Sequence, residues 1–159
     1  MGNGQSAVLL IHSILRYLVL IATLVVAVQS VISMTSKKAL GKGNKMAALM
    51  MMIMCDLQLL VGLAVYMFGN QASHFADKSA FKDSYTRFYA LEHPVGMILG
   101  IVLVHVGYSR LKKNWPDEKK SKQLFWCSFL ALFIFFYQTP WPYKKLVGRP
   151  YLPGTTMAQ

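Results

Sequence analysis

Six ionisable side chains lie within the apolar stretches of this chain: His12, Arg16, Asp56, Glu92, His93 and His105. Such groups are costly in hydrocarbon and are kept where they bind a ligand, relay protons or satisfy one another. An imidazole there can ligate a metal through a neutral nitrogen, pass a proton, or bond a carboxylate. His12 and Arg16 stand four residues apart, one turn on one helical face. His93 and His105 share the segment LEHPVGMILGIVLVHVG, residues 91–107. The fourth histidine, His74, falls in a polar stretch and reads as a surface residue.

Composition defines the elements that must position them. Of 159 residues, 55% are hydrophobic and only 14% charged, against about a quarter charged in soluble domains. The apolar residues form four continuous blocks, predicting helices at about 7–34, 46–68, 88–110 and 123–139. An outer loop occupies 69–87 and an outer tail 140–159. A bilayer core takes about 20 apolar residues per helix, which the first three blocks supply. The fourth is short unless TPWPY, residues 139–143, completes it at the interface. In hydrocarbon, backbone groups are satisfied only inside helices or closed barrels, and continuous rather than alternating blocks select helices. The expected fold is all-α: one integral membrane domain, 1–159, forming a four-helix bundle that runs up-down-up-down.

The net charge of +11 does not indicate nucleic acid as a partner, because the cations sit beside the spans. Lys37, Lys38, Lys42 and Lys45 lie between the first two blocks. Arg110, Lys112, Lys113, Lys119, Lys120 and Lys122 lie between the last two. The opposite side holds Lys78, Lys82, Arg87, Lys144, Lys145 and Arg149. By the positive-inside rule the two short connections face the cytoplasm and both termini face out. Cys55 and Cys127 fall inside helices, so no disulfide framework is expected. MGNGQS has the spacing of an N-myristoylation signal, but that modification requires a cytosolic N-terminus. The first block lacks a basic leader, contains Arg16 and exceeds the apolar length of a signal peptide, so it is expected to persist as a helix.

The first and third helices run in the same direction, so depths can be compared. At roughly 1.5 Å per residue, His12 lies ~8 Å below the outer boundary and His93 roughly 3–8 Å. Two imidazoles at one depth on two helices of a bundle is the arrangement of a bis-histidine haem. In that reading His12 and His93 are the iron ligands, and Arg16 and Arg87 meet the anionic propionates. Gly96 and Gly100 then let a flat macrocycle approach the backbone on the face His93, Met97, Gly100, Val104. Two alternatives stand beside it. Gly96 and Gly100 also form a GxxxG helix-packing pair, and Glu92, His93, His12 and Arg16 can satisfy one another as an outer network. His105 lies near the inner boundary with no histidine at its depth, and a bond to Asp56 is expected; Asp56 could equally meet Arg16. A second haem would need a methionine from Met50, Met51, Met52 or Met54, which read better as core filler. No CxxC, HxxxH, phosphate loop or nucleophile elbow is present, which argues against hydrolase or transferase chemistry.

The stretches IHSILRYLVL (11–20), RFYALEHPVGMILGIVLVHVGYSRLKK (87–113) and TPWPYKKLVGRP (139–150) resemble a family of small bacterial four-helix membrane proteins labelled cytochrome b-like. The matching positions are His12, Ser13, Arg16, Glu92, His93, Pro94, His105, Gly107, Arg110, Pro140, Trp141 and Pro142. The resemblance implies haem b, electron transfer with quinone as a candidate partner, and the bacterial inner membrane with periplasmic termini. At most it implies a redox subunit. The lack of a second histidine pair departs from di-haem cytochromes and leaves one haem near the outer face. The rival expectation is a haem-free scaffold or accessory subunit of a larger membrane complex. A third is a proton-conducting subunit using Asp56 and His105. So small a chain with exposed apolar faces suits association with other membrane subunits or with itself.

Overall fold

The computed structural model describes residues 3–75 and 81–153. Gly2, the acceptor in the myristoylation reading, and Lys78 lie outside the described residues. Four long helices carry the chain: α1 (Asn3–Ser36), α2 (Lys42–Phe68), α3 (Ser84–Leu111) and α4 (Asp117–Gln138). A 3-10 turn, Gln71–Phe75, follows α2, and no strand occurs among the described residues. α1, α2 and α3 are long and apolar enough to cross a membrane. α4 is not among them, because it opens with DEKKSK and its apolar run begins only at Leu124.

Each helix overruns its apolar block at one end or both, because polar residues can extend a helix where they also cap it. α3 begins at Ser84, a turn before Phe88. Asp83 in extended backbone accepts the Thr86 N–H at 2.8 Å, a side-chain N-cap. That bond holds the Asp83 carboxyl below its ordinary pKa.

Side-chain contacts tie the start of α1 to the end of α2 and the end of α1 to the start of α4. Gln5 donates to the Phe68 carbonyl at 3.2 Å, and Ser33 meets Ser121 at 2.9 Å. α1 packs on α2 and α4, and α3 on α4 and α2, which closes a ring whose thinnest seam is α2–α3. Val26, Met51, Val104, Leu124, Ala131 and Phe135 form the buried centre. Thr23, Ser30 and Ser128 are fully buried, and each donates its hydroxyl to the carbonyl four residues back at 2.7 Å. Small side chains satisfied by their own helix leave no orphaned group at a tight helix contact.

The same logic places the glycines of α3. A Cβ at Gly96 would strike the Gln138 side chain, and one at Gly100 the Phe135 ring. At Gly107 it would stand 2.8 Å from the Cys127 Cβ. The face holding Gly96 and Gly100 is therefore filled by α4, which leaves no room there for the macrocycle approach described above. Helix packing is what these glycines do.

Two outcomes follow. Gly107→Ala should lower thermal stability in detergent by about 1–3 kcal/mol, the usual cost of overpacking, with partial recovery in Gly107→Ala/Cys127→Gly. Asp83→Ala should speed hydrogen exchange of the 84–88 amides. The Asp83 carboxyl is depressed in the folded chain, so its cap is complete above the ordinary carboxylate pKa. The cap is lost as pH falls through the lower folded value. Acid titration of those amides should show the loss in the parent and none in Asp83→Ala.

Candidate functional site

Around His93 the backbone of α3 departs from a regular helix. Pro94 has no N–H, so the carbonyl four residues back, that of Ala90, loses its helical donor. The Tyr66 hydroxyl of α2 supplies one, donating to the Ala90 oxygen at 3.0 Å. The helix widens to a π-turn over Phe88–Glu92, with the His93 N–H bonded to the Phe88 carbonyl. Such turns often sit at functional positions. Here it puts Arg87 and Glu92, five residues apart, within reach of each other, and Arg87 Nε meets Glu92 Oε1 at 2.6 Å. The sequence places Pro94 in the first turns of its helix, where a missing donor costs little. The helix in fact starts a turn earlier, and a neighbour fills the gap.

His93 is held by α4. Its Nδ1 lies 2.8 Å from the Gln138 carbonyl. A carbonyl only accepts, so Nδ1 carries the proton and the neutral ring keeps its lone pair on Nε2. The Gln138 side chain donates in turn to the Glu92 carbonyl at 2.9 Å. His12, on α1, stands against α2 at Gly62, where a Cβ would come within 3.0 Å of the ring. Gln58 donates to the His12 carbonyl at 3.1 Å and approaches Nε2 at 3.4 Å. The His12 Nδ1 is buried with no hydrogen-bond partner.

The two imidazoles meet. Their centroids are 6.4 Å apart with the planes at 73°, on helices that face each other across the ring. Phe88 and Tyr89 flank His93 at centroid distances of 5.7 and 6.4 Å. α4 ends at Gln138, and the tail completes the wall beyond it. The Arg16 guanidinium and the Tyr17 hydroxyl donate to the Tyr151 carbonyl at 2.7 and 3.0 Å. The Tyr89 hydroxyl donates to the Val147 carbonyl at 2.7 Å. Arg149 bonds the Tyr85 hydroxyl at 2.8 Å and lies 4.2 Å above the Tyr89 ring. Trp141 is buried beneath this lid, with its indole N–H on the Phe136 carbonyl at 2.8 Å. Lys144 donates to the Tyr137 carbonyl, and burial lowers its pKa.

An imidazole nitrogen sits about 2 Å from a metal it ligates, so two rings across one iron have centroids roughly 6 Å apart. The observed 6.4 Å is of that size and is an edge contact of the two rings, with His12 turning Cε1 and Nδ1 towards Gly62 and Nε2 towards Gln58. His93 also has the carbonyl-oriented Nδ1–H found behind ligand histidines, and His12 has an orphaned ring nitrogen. Among the described residues no three or more His, Cys, Asp or Glu converge. Among the described residues a cage of three or more such protein ligands is thus not formed. Arg16 and Arg149 are the guanidiniums whose charge acts on both rings; Arg87 is engaged with Glu92. Residue spacing could not point to Gly62, Gln138, Arg149 or Tyr151, because their roles come from helix pairing and from a tail that folds back.

His105 stands apart from this layer. Its Nε2 meets Asp56 Oδ1 at 2.8 Å, joining α3 to α2 with the two side chains 45% and 44% exposed. Of the two partners considered for Asp56, His105 and Arg16, the structure pairs it with His105.

Tyr66→Phe should cost about 1 kcal/mol, because it strands the Ala90 carbonyl. The exposed control Tyr143→Phe should leave the unfolding midpoint unchanged. No protein-family model, curated protein or solved structure matches this chain.

Proposed function

We propose that the chain is a b-type cytochrome-like electron-transfer subunit holding one haem b between His12 and His93. In this reading it spans a bacterial inner membrane as an up-down-up-down four-helix bundle with both termini outside. The observation that carries the reading is the meeting of two imidazoles at 6.4 Å on opposite helices. Three helices of sufficient length and apolarity support the membrane setting, and the cations of the α1–α2 and α3–α4 connections support the orientation.

Each residue then has a definite task. His93 offers Nε2, aimed by the Gln138 carbonyl on its other nitrogen. His12 offers a ring nitrogen from a position that only a glycine at residue 62 leaves open. Arg16 and Arg149 supply positive charge where propionates would lie, and the tail with Trp141 keeps water from the layer. Haem b, when bound, supplies one-electron redox chemistry. A lipid-soluble quinone is the partner suited to exchange electrons with a subunit embedded in the bilayer.

A reduced-minus-oxidised visible spectrum of the purified full chain, with pyridine haemochrome quantitation, tests this. A b-type α-band at about one haem per chain is expected, lost in His12→Ala and in His93→Ala and kept in His105→Ala. A well-folded preparation that takes up no haem on supplementation would overturn the reading. It would leave the histidines as packing residues of a haem-free scaffold subunit in a larger membrane complex.

A further inference from the structure

The start of α3, the end of α4 and the tail enclose an outward cleft of about 440 Å³, lined by neither His12 nor His93. Arg87, Lys144 and Lys145 line it against one acid, Glu92. Arg87 takes Glu92 at 2.6 Å, so the charge of the two lysines is unanswered. Lys145 is exposed and meets no acid among the described residues. The Lys144 ammonium has three donors, one of which goes to the Tyr137 carbonyl. The other walls are largely apolar: Tyr137 and Leu146 border the cleft and are 65% and 71% exposed.

From this cationic end an apolar track runs toward mid-span. Val95 and Leu99 follow Glu92 by three and seven residues on α3, and Phe133 and Leu130 precede Tyr137 by four and seven on α4. Such spacings keep each set on one helical face, and all four side chains are exposed. Glu92 and Tyr137 line the same cleft and α3 packs on α4, so the two stripes border one groove. We infer that the cleft binds an anionic phospholipid, its phosphate on Lys144 and Lys145 and an acyl chain along the α3–α4 groove. Lysines beside a span attract such lipids. A small soluble anion would leave the track uncovered, and a zwitterionic lipid would bring its own cation to lysines already in excess. The inference rests on the membrane setting of the preceding reading and not on haem.

The test titrates the full chain in detergent with dioleoylphosphatidylglycerol, dioleoylphosphatidylcholine or inorganic phosphate, read by native mass spectrometry. One phosphatidylglycerol should bind per chain, phosphatidylcholine about tenfold more weakly, and inorganic phosphate not at all. Lys145→Glu should weaken phosphatidylglycerol binding about tenfold or more. Lys45→Glu, the same reversal at an exposed site in the first turn of α2, should leave it unchanged. Lys145→Gln should weaken binding less than Lys145→Glu, and it decides alone should the reversal fail to fold. Equal losses at Lys145 and Lys45 would overturn the inference, as would no preference over phosphatidylcholine. Binding of inorganic phosphate in place of the lipid would overturn it too and make the cleft a site for free anions. Retention of the chain by carbonate-washed vesicles reads the membrane setting separately. A retained chain without lipid preference overturns this inference alone, and a released chain overturns both.

Discussion

Gln138 ties the end of α4 to α3 around His93, and it does so with backbone and side chain at once. Its carbonyl has no helical donor because α4 stops there, and His93 supplies one. Its amide donates to the Glu92 carbonyl at the end of the widened turn. Its methylene stem covers Gly96 at a distance that no Cβ would permit. A helix end, a helix break and a glycine each leave something unmet in an apolar setting, where unmet backbone groups cost several kcal/mol. Gln138 answers the first and the third, Tyr66 meets the Ala90 carbonyl at the break, and the orientation of the His93 ring follows from Gln138.

The shortness of α4 is part of the same design. A fourth helix as long as α1 would pack its side chains against His12 and His93 and close the layer between them. Because α4 ends at Gln138, the wall beyond is made by an irregular tail, tied down by Arg16 and Tyr17 at Tyr151 and by Tyr89 at Val147. Tail carbonyls accept three of these tethers, and the tail's own side chains add two more, Arg149 to the Tyr85 hydroxyl and Lys144 to the Tyr137 carbonyl.

Much of this was legible in the residues, for a physical reason. Length and apolarity alone decide whether a segment can cross a membrane, so α1, α2 and α3 stand out. Rise per residue converts sequence position to depth, so the meeting of His12 with His93 and of Asp56 with His105 could be anticipated by counting. What counting cannot supply is azimuth. Gly96 and Gly100 lie on the face of α3 turned to α4, a matter of rotation about the axis rather than of depth, and they receive side chains of α4. Arg87 and Arg149 carry the same charge near the same boundary. The π-turn hands the first to Glu92, and the fold of the tail brings the second over Tyr89. Neither event has a local pattern.

The two histidine pairs show how one side chain serves different ends in one bundle. His12 and His93 are turned inward between opposite helices, where each ring has one nitrogen engaged by a glutamine and the centroids stand 6.4 Å apart. His105 lies on a seam, with Nε2 committed to a carboxylate and the ring open to the side. A carboxylate behind an imidazole strengthens it as a base and fixes its tautomer, which in a closed site would favour ligation. On an open face the same partner adds a charge that hydrocarbon does not solvate. That pair is nearly half exposed, while the inner pair is sheltered by its own chain. The division between a site that faces inward and a surface that faces outward is drawn by which helix pair each histidine joins.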